Sequence, residues 1–92
     1  CFGENWKHVY VSSTKSMMGH LVAACGSVEA IIALLTVMNG VIPPTANLDN
    51  VDPECELRHV PHKAIQAEVT HAMTNAFGFG GSNGTLVISK WA

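Results

Sequence analysis

The chain has 92 residues, 48% hydrophobic and 13% charged, with a formal net charge of −2 and a pI near 6.2. That length suits one small domain, but the charged share is about half that of an ordinary soluble domain. The sequence is therefore expected to be the interior part of something larger or a partner in an oligomer, and it has no Lys/Arg cluster to supply a nucleic-acid-binding field.

In chain order, residues 8–14, "HVYVSST", are β-branched and aromatic and predict a strand. "KSMMG" predicts a loop, and a helix follows from about His20 to Asn39, with Gly40 as its C′ residue and Pro43-Pro44 forbidding continuation. The helix is apolar nearly all round, which predicts burial on more than one face. Ala23, Ala24 and Gly26 in its first turns would allow close backbone approach.

The run from Leu21 to Met38 is 18 residues with one charge, long enough to consider a membrane span. Glu29 near its middle opposes insertion by about 2.5–3.5 kcal/mol, and Gly26, Ser27 and Thr36 lower its apolarity. A core helix is the stronger reading, with no membrane span.

From Val41 to Ala64 the sequence shows no sustained period and predicts an irregular connection that wraps a larger body or carries function. Residues 66–76 predict a strand, "FGFGGSNG" a turn, and "TLVISKW" a terminal strand. The last two strands suggest an antiparallel hairpin beside the first strand. Strand, buried helix, long loop and antiparallel strand pair together make a fragment of a layered α/β domain.

Four of residues 77–84 are glycine. A phosphate loop needs strand, glycine turn, then helix, whereas here a strand follows and Asn83 stands where a third glycine belongs. A tight hairpin accounts for Gly80, Gly81 and Gly84. It accounts less well for Phe77 and Phe79, which are poor core filler but suited to line or gate a cavity.

His20 and Lys15 open the apolar run. A helix N-terminus and burial both disfavour imidazolium, and a neutral His20 can donate one N–H to a developing oxyanion. Lys15 needs an acid if buried, and Glu29 is the one acid in the apolar run. On a single helix, nine residues turn about 900°, so Glu29 and His20 would lie on opposite faces. Cys25, five residues after His20, would sit about 140° away, poor geometry for a thiol–imidazole pair, and is read as a small buried hydrophobe. His8 and His71 fall in predicted strands as surface or packed residues. His59 and His62 lack the further ligands of a metal site and are read as solvated loop histidines.

Cys1, Cys25 and Cys55 are odd in number and lack CxxC spacing. Reduced thiols and a cytoplasmic location fit better than disulfides or zinc. "CFGENWKH" has no signal-peptide pattern.

Three stretches, "VSSTKSMMGHLVAACGSVEAI", "IPPTANLDN" and "NAFGFGGSNGTLVI", resemble in order and spacing the C-terminal part of β-ketoacyl-[acyl-carrier-protein] synthases. The likeness runs from about Phe2 to Ile88, and Met17-Met18 leans towards the synthase II group of fatty acid elongation rather than polyketide synthases with "KSNIGH".

The resemblance implies a thiolase-like fold of α/β/α/β/α layers and a homodimer. It implies an acyltransferase that moves an acyl chain from acyl carrier protein onto a cysteine, decarboxylates malonyl-carrier protein and joins the two. It makes His20 one of two catalytic histidines, Lys15 the active-site lysine, Glu29 its supporting acid and Phe77 a gate and oxyanion-hole donor, with Phe79 beside it. Some members hold a monovalent cation near positions matching Glu29 and Asn75; none is claimed for this chain, and no cofactor or metal is expected.

The nucleophilic cysteine and the other histidine lie upstream in the family, and Cys25 stands where the family has a small residue such as alanine. Residues 1–92 are thus expected to be a C-terminal portion lacking its N-terminal half, beginning inside an element, ending in "VISKWA" like a natural terminus, and inactive alone. Expected partners are acyl carrier protein bearing acyl or malonyl groups, the N-terminal half and a second copy. The alternatives are a non-catalytic chain-length-factor-like partner, a polyketide ketosynthase, or a small structural domain.

Overall fold

The computed structural model describes residues 1–91; Ala92, the last residue of the expected terminal segment, lies outside them. The described chain contains two compact units, each assembled from two separate stretches. The first comprises Cys1–Gly19 with Ile42–Ile65, the second His20–Val41 with the residues from Gln66 onward.

In the first unit a 3₁₀ helix, Gly3–His8, leads into β1 (Tyr10–Val11), and β1 pairs in parallel with β3 (Arg58–His59). The predicted strand over 8–14 is therefore only two residues long. Thr14 is the N-cap of a one-turn helix, α1 (Lys15–Met18), where a loop is predicted. The connection from Val41 onward is more ordered than its composition suggests. It carries β2 (Val41–Ile42), β3, a parallel bridge between Thr45 and Pro61, and β4 (Ile65–Gln66), which pairs with β2. Its turns follow the local chemistry: Asp52 Oδ1 accepts the Glu54 N–H at 2.9 Å, an aspartate turn of the expected kind. Thr14, Ile42 and Val60 form the buried centre of this unit.

His59 is not a solvated loop residue. It lies half-buried in β3, with Nε2 2.9 Å from the Cys55 carbonyl. His62 is exposed, 3.4 Å from Asp49 Oδ1. Arg58 stacks on the Tyr10 ring, 3.8 Å from its centroid, and bonds the Lys7 carbonyl, tying β3 to the chain before β1.

In the second unit the long helix, α2, runs Cys25–Asn39, preceded by a 3₁₀ turn, Val22–Ala24. The helix starts five residues later than its hydrophobic pattern predicts, because Val22 adopts φ 53°, which no α-helix accommodates. It ends as predicted: Gly40 is left-handed (φ 64°) and its N–H caps the Thr36 carbonyl at 2.9 Å.

The expected strand 66–76 is split into β4 and β5 (His71–Phe77), and β5 pairs antiparallel with β6 (Asn83–Ser89), from His71↔Ser89 to Phe77↔Asn83. The hairpin does not join β1, which belongs to a different two-stranded sheet. Gly80 and Gly81, at φ 83° and 89°, turn the chain, and Gly78 N–H closes the turn on Ser82 O at 2.6 Å.

α2 packs on β5 and β6 along a stripe of i,i+4 spacing that includes buried Cys25, Ala33 and Val37. Burial on several faces is not observed: Ile31, Leu34, Leu35 and Met38 are exposed. Nor does Gly26 serve a close approach, since a Cβ there would meet nothing within 4 Å. With its preceding turn the helix is long and apolar enough to cross a membrane by length and composition (mean hydropathy 1.8 over Val22–Asn39, 17% buried). Its apolar character thus exceeds what the described chain covers, whereas its packed stripe is that of a core helix on a sheet.

Candidate active site

The "KSMMGH" motif is divided between the two units, with Lys15 in the first and His20 in the second. Each half is held by its own hydrogen bonds.

Around Lys15, the α1 turn is fastened to "PPTAN". Thr45 Oγ1 accepts the Ser13 N–H at 2.9 Å, and Ser16 Oγ accepts the Ala46 N–H at 2.8 Å while donating to the Ser13 carbonyl at 3.0 Å. Thr45 is itself anchored, donating its N–H to Val60 O at 2.7 Å and accepting the His62 N–H at 3.2 Å. These bonds fix Ser13, the residue before the N-cap of a four-residue helix that has no side-chain cap. Lys15 is half-buried. Ser13, Ser16 and Thr45 are the positioning residues that sequence reasoning missed. No local signal in the sequence marks them, because the partners lie 30 and 32 residues apart.

Around His20 the chain makes a tight reversal before α2. His20 is exposed and not helical. The Val22 N–H donates to His20 Nδ1 at 3.0 Å, the Leu21 N–H donates to Cys25 Sγ at 3.0 Å, and Sγ lies 3.4 Å from Nδ1. The helical-wheel argument separating Cys25 from His20 therefore fails: only Cys25 is on the helix, and the reversal folds the ring back onto it. Cys25 is 6% exposed, a buried residue as expected, though not a purely apolar one.

The geometry also fixes the imidazole's hydrogen-bonding sense. A nitrogen that accepts a backbone N–H carries no proton of its own, so Nδ1 is the acceptor and Nε2–H the outward donor. Backbone amide geometry, rather than a helix N-terminus, leaves Nε2–H as the donor.

Glu29 is half-buried on α2 one turn beyond Cys25. Asn75 on β5 accepts from Thr85 Oγ1 of β6 at 2.8 Å. Phe77 ends β5 at 77% exposure, and Phe79 in the glycine turn is fully exposed. Both side chains are exposed within their unit, and the gating assignment rests on resemblance. The three cysteines are free thiols. Among the described residues no cluster of three or more His, Cys, Asp or Glu could hold a metal.

A donor histidine set by a backbone amide, on a strained reversal feeding a sheet-packed helix, suits stabilisation of an oxyanion. The chain belongs to the β-ketoacyl synthase family, whose C-terminal domain it matches over residues 1–49, a span containing Lys15, His20 and Glu29. It is 51% identical to 3-oxoacyl-[acyl-carrier-protein] synthase 2 of Vibrio harveyi over 97% of this chain, and 46% identical to the protein of the same name of Coxiella burnetii, also over 97%. It covers 21% and 22% of those proteins, so it spans about a fifth of the relatives it matches.

Among solved structures it resembles a chain from the complex of a type II PKS acyl-carrier protein with its ketosynthase bound to the hexaketide, with TM-score 0.88 and 27% identity over 94% of this chain and 21% of that one. It also resembles the ishigamide ketosynthase/chain length factor, with TM-score 0.72 and 35% identity over 75% of this chain and 17% of that one. The α/β class expected from sequence holds, within the thiolase-like architecture of those ketosynthases.

Proposed function

We propose that the chain is the C-terminal portion of a β-ketoacyl-[acyl-carrier-protein] synthase of fatty acid elongation. In that reaction the malonyl thioester loses its carboxylate as CO2, and the electron pair of the broken C–C bond passes to the α-carbon and, by resonance, to the thioester oxygen. His20 donates Nε2–H to that oxygen. The carbanion then attacks an acyl thioester held on a cysteine of the N-terminal half, forming the new C–C bond and expelling the cysteine thiolate. Lys15 orders the site's hydrogen bonds and field with Glu29 in support. Phe77 gates the pocket and offers its N–H to the oxyanion, and Phe79 flanks it.

One observation carries the assignment of His20, the Val22 N–H donated to Nδ1 at 3.0 Å, which leaves Nε2–H as the donor. Losing one donor to an oxyanion typically costs about 2.7–4 kcal/mol, a factor of roughly 10² to 10³ in rate. His20→Ala in the whole protein tests it: malonyl decarboxylation should fall by that factor, and an unchanged rate removes the role.

The partners we propose are acyl carrier protein bearing acyl or malonyl groups, the N-terminal half with the nucleophile, and a second copy in a homodimer, in the cytoplasm and without a membrane span. The ketosynthase seen in complex with its carrier protein supports the first of these. A second reading, a chain-length-factor-like partner, draws on the likeness to the ketosynthase/chain length factor. The residue at the upstream nucleophile position separates the two: cysteine supports the enzyme, any other residue the partner.

A further inference from the structure

We infer that Cys25 is a positioning residue for His20, a role that deepens the functional reading above and rests on it for its catalytic consequence. Its sulfur takes part in two contacts at once. It accepts the Leu21 N–H at 3.0 Å, and it lies 3.4 Å from His20 Nδ1.

The reversal from His20 to Ala24 contains a β-branched residue in the left-handed region, Val22 at φ 53°. Such a conformation persists only where its surroundings hold it. Two bonds close this reversal from opposite ends: Val22 N–H to the ring, and Leu21 N–H to the first residue of α2. The sulfur is the acceptor that pins Leu21 and thereby Val22.

The thiol also acts directly on the ring. Nδ1 accepts a backbone N–H and carries no proton, so at 3.4 Å the thiol S–H is the donor and Nδ1 the acceptor. The Val22 amide, a donor only, sets the tautomer with Nε2–H, and the thiol supports it by holding Leu21 and thereby that amide in place. Burial on α2, at 6% exposure, holds the sulfur in place. Alanine would fill part of the space but neither accept from Leu21 nor donate to Nδ1, whereas serine could do both through a shorter reach.

The test compares Cys25→Ala and Cys25→Ser in the whole protein labelled with ¹⁵N-histidine, the His20 signals being those lost in His20→Gln. With Cys25→Ala, Leu21 amide exchange should quicken and decarboxylation kcat should fall, each by about 2- to 10-fold, the range of one lost hydrogen bond. The His20 spectrum should move from a single Nε2–H tautomer to a mixture, and Cys25→Ser should restore much of both. A His20 spectrum and kcat unmoved by Cys25→Ala would overturn the inference, even if thermal stability fell, because that pattern is packing alone. If instead the tautomer shifts while His20→Gln leaves decarboxylation intact, positioning by Cys25 stands and the condensing role of His20 falls.

Discussion

Val22 gives its backbone N–H to His20 Nδ1 at 3.0 Å from a left-handed conformation, φ 53°, that a β-branched side chain disfavours. Left-handed strain of this kind costs on the order of 1–3 kcal/mol. Val22→Gly should therefore hold or raise the thermal midpoint, since the lost side chain is 75% exposed. Val22→Pro removes the donor and forces φ near −65°, so it should abolish decarboxylation. A functional proline variant would show that the amide does not orient the ring.

The fastening of α1 to "PPTAN" predicts a second effect. Ser16→Ala removes the acceptor for Ala46 N–H and the donor to Ser13 O, and Thr45→Val removes the acceptor for Ser13 N–H. Each should cost about 0.5–1.5 kcal/mol per bond, seen as faster exchange at the Ser13 and Ala46 amides. If Lys15 depends on this fastening, kcat should drop more than the loss of stability accounts for. Equal exchange in wild type and variants would remove the role of these hydroxyls.

Phe77 lies at 77% exposure within its unit. Phe77→Ala should leave stability within about 0.5 kcal/mol, the usual range for a surface change, while altering acyl transfer or chain-length preference if the side chain gates a pocket. Identical kinetics across acyl chain lengths would count against the gate.

Gly40 offers a purely structural check. Its φ is 64°, and a Cβ there would stand 2.9 Å from the Ala67 carbonyl oxygen. The Gly40 carbonyl in turn accepts the Ala67 N–H at 2.9 Å, so the backbone has little room to yield. Gly40→Ala should destabilise by more than about 1 kcal/mol, measured by denaturant unfolding of the whole protein.

Exposed Ile31, Leu34, Leu35 and Met38 on α2 predict the behaviour of the isolated 92-residue chain. It should bind hydrophobic dyes, aggregate and unfold without a sharp transition. A cooperative two-state transition at low concentration would contradict this.

Much of the hairpin and of the helix end was legible because local chemistry decides both. Two strand-forming segments flank a glycine turn, and Gly40 with Pro43-Pro44 stops α2. The helix start was not legible. The apolar period continues through Leu21 and Val22, and only a backbone hydrogen bond to a side chain, His20, diverts them. For the same reason the wheel argument misjudged Cys25, since it assumed both residues shared a helix. His20, Lys15 and Glu29 could be singled out as titratable groups bordering an apolar run. Ser16 and Thr45 could not, because each hydroxyl's value depends on a backbone partner 30 or 32 residues away, the Ala46 and Ser13 amides.

The interleaving of the two units sets an order on their synthesis. A ribosome releases α2 complete at Asn39, but the sheet it packs on begins at His71 and closes at Ser89. Throughout that interval the emerging chain carries an apolar helix without the sheet of its own unit, while residues 42–65 must return to the first unit. Removing residues 1–19 would strand 42–65, and removing the residues from 66 onward would strand 20–41, so deletions in this region will report lost folding before they map any boundary of function.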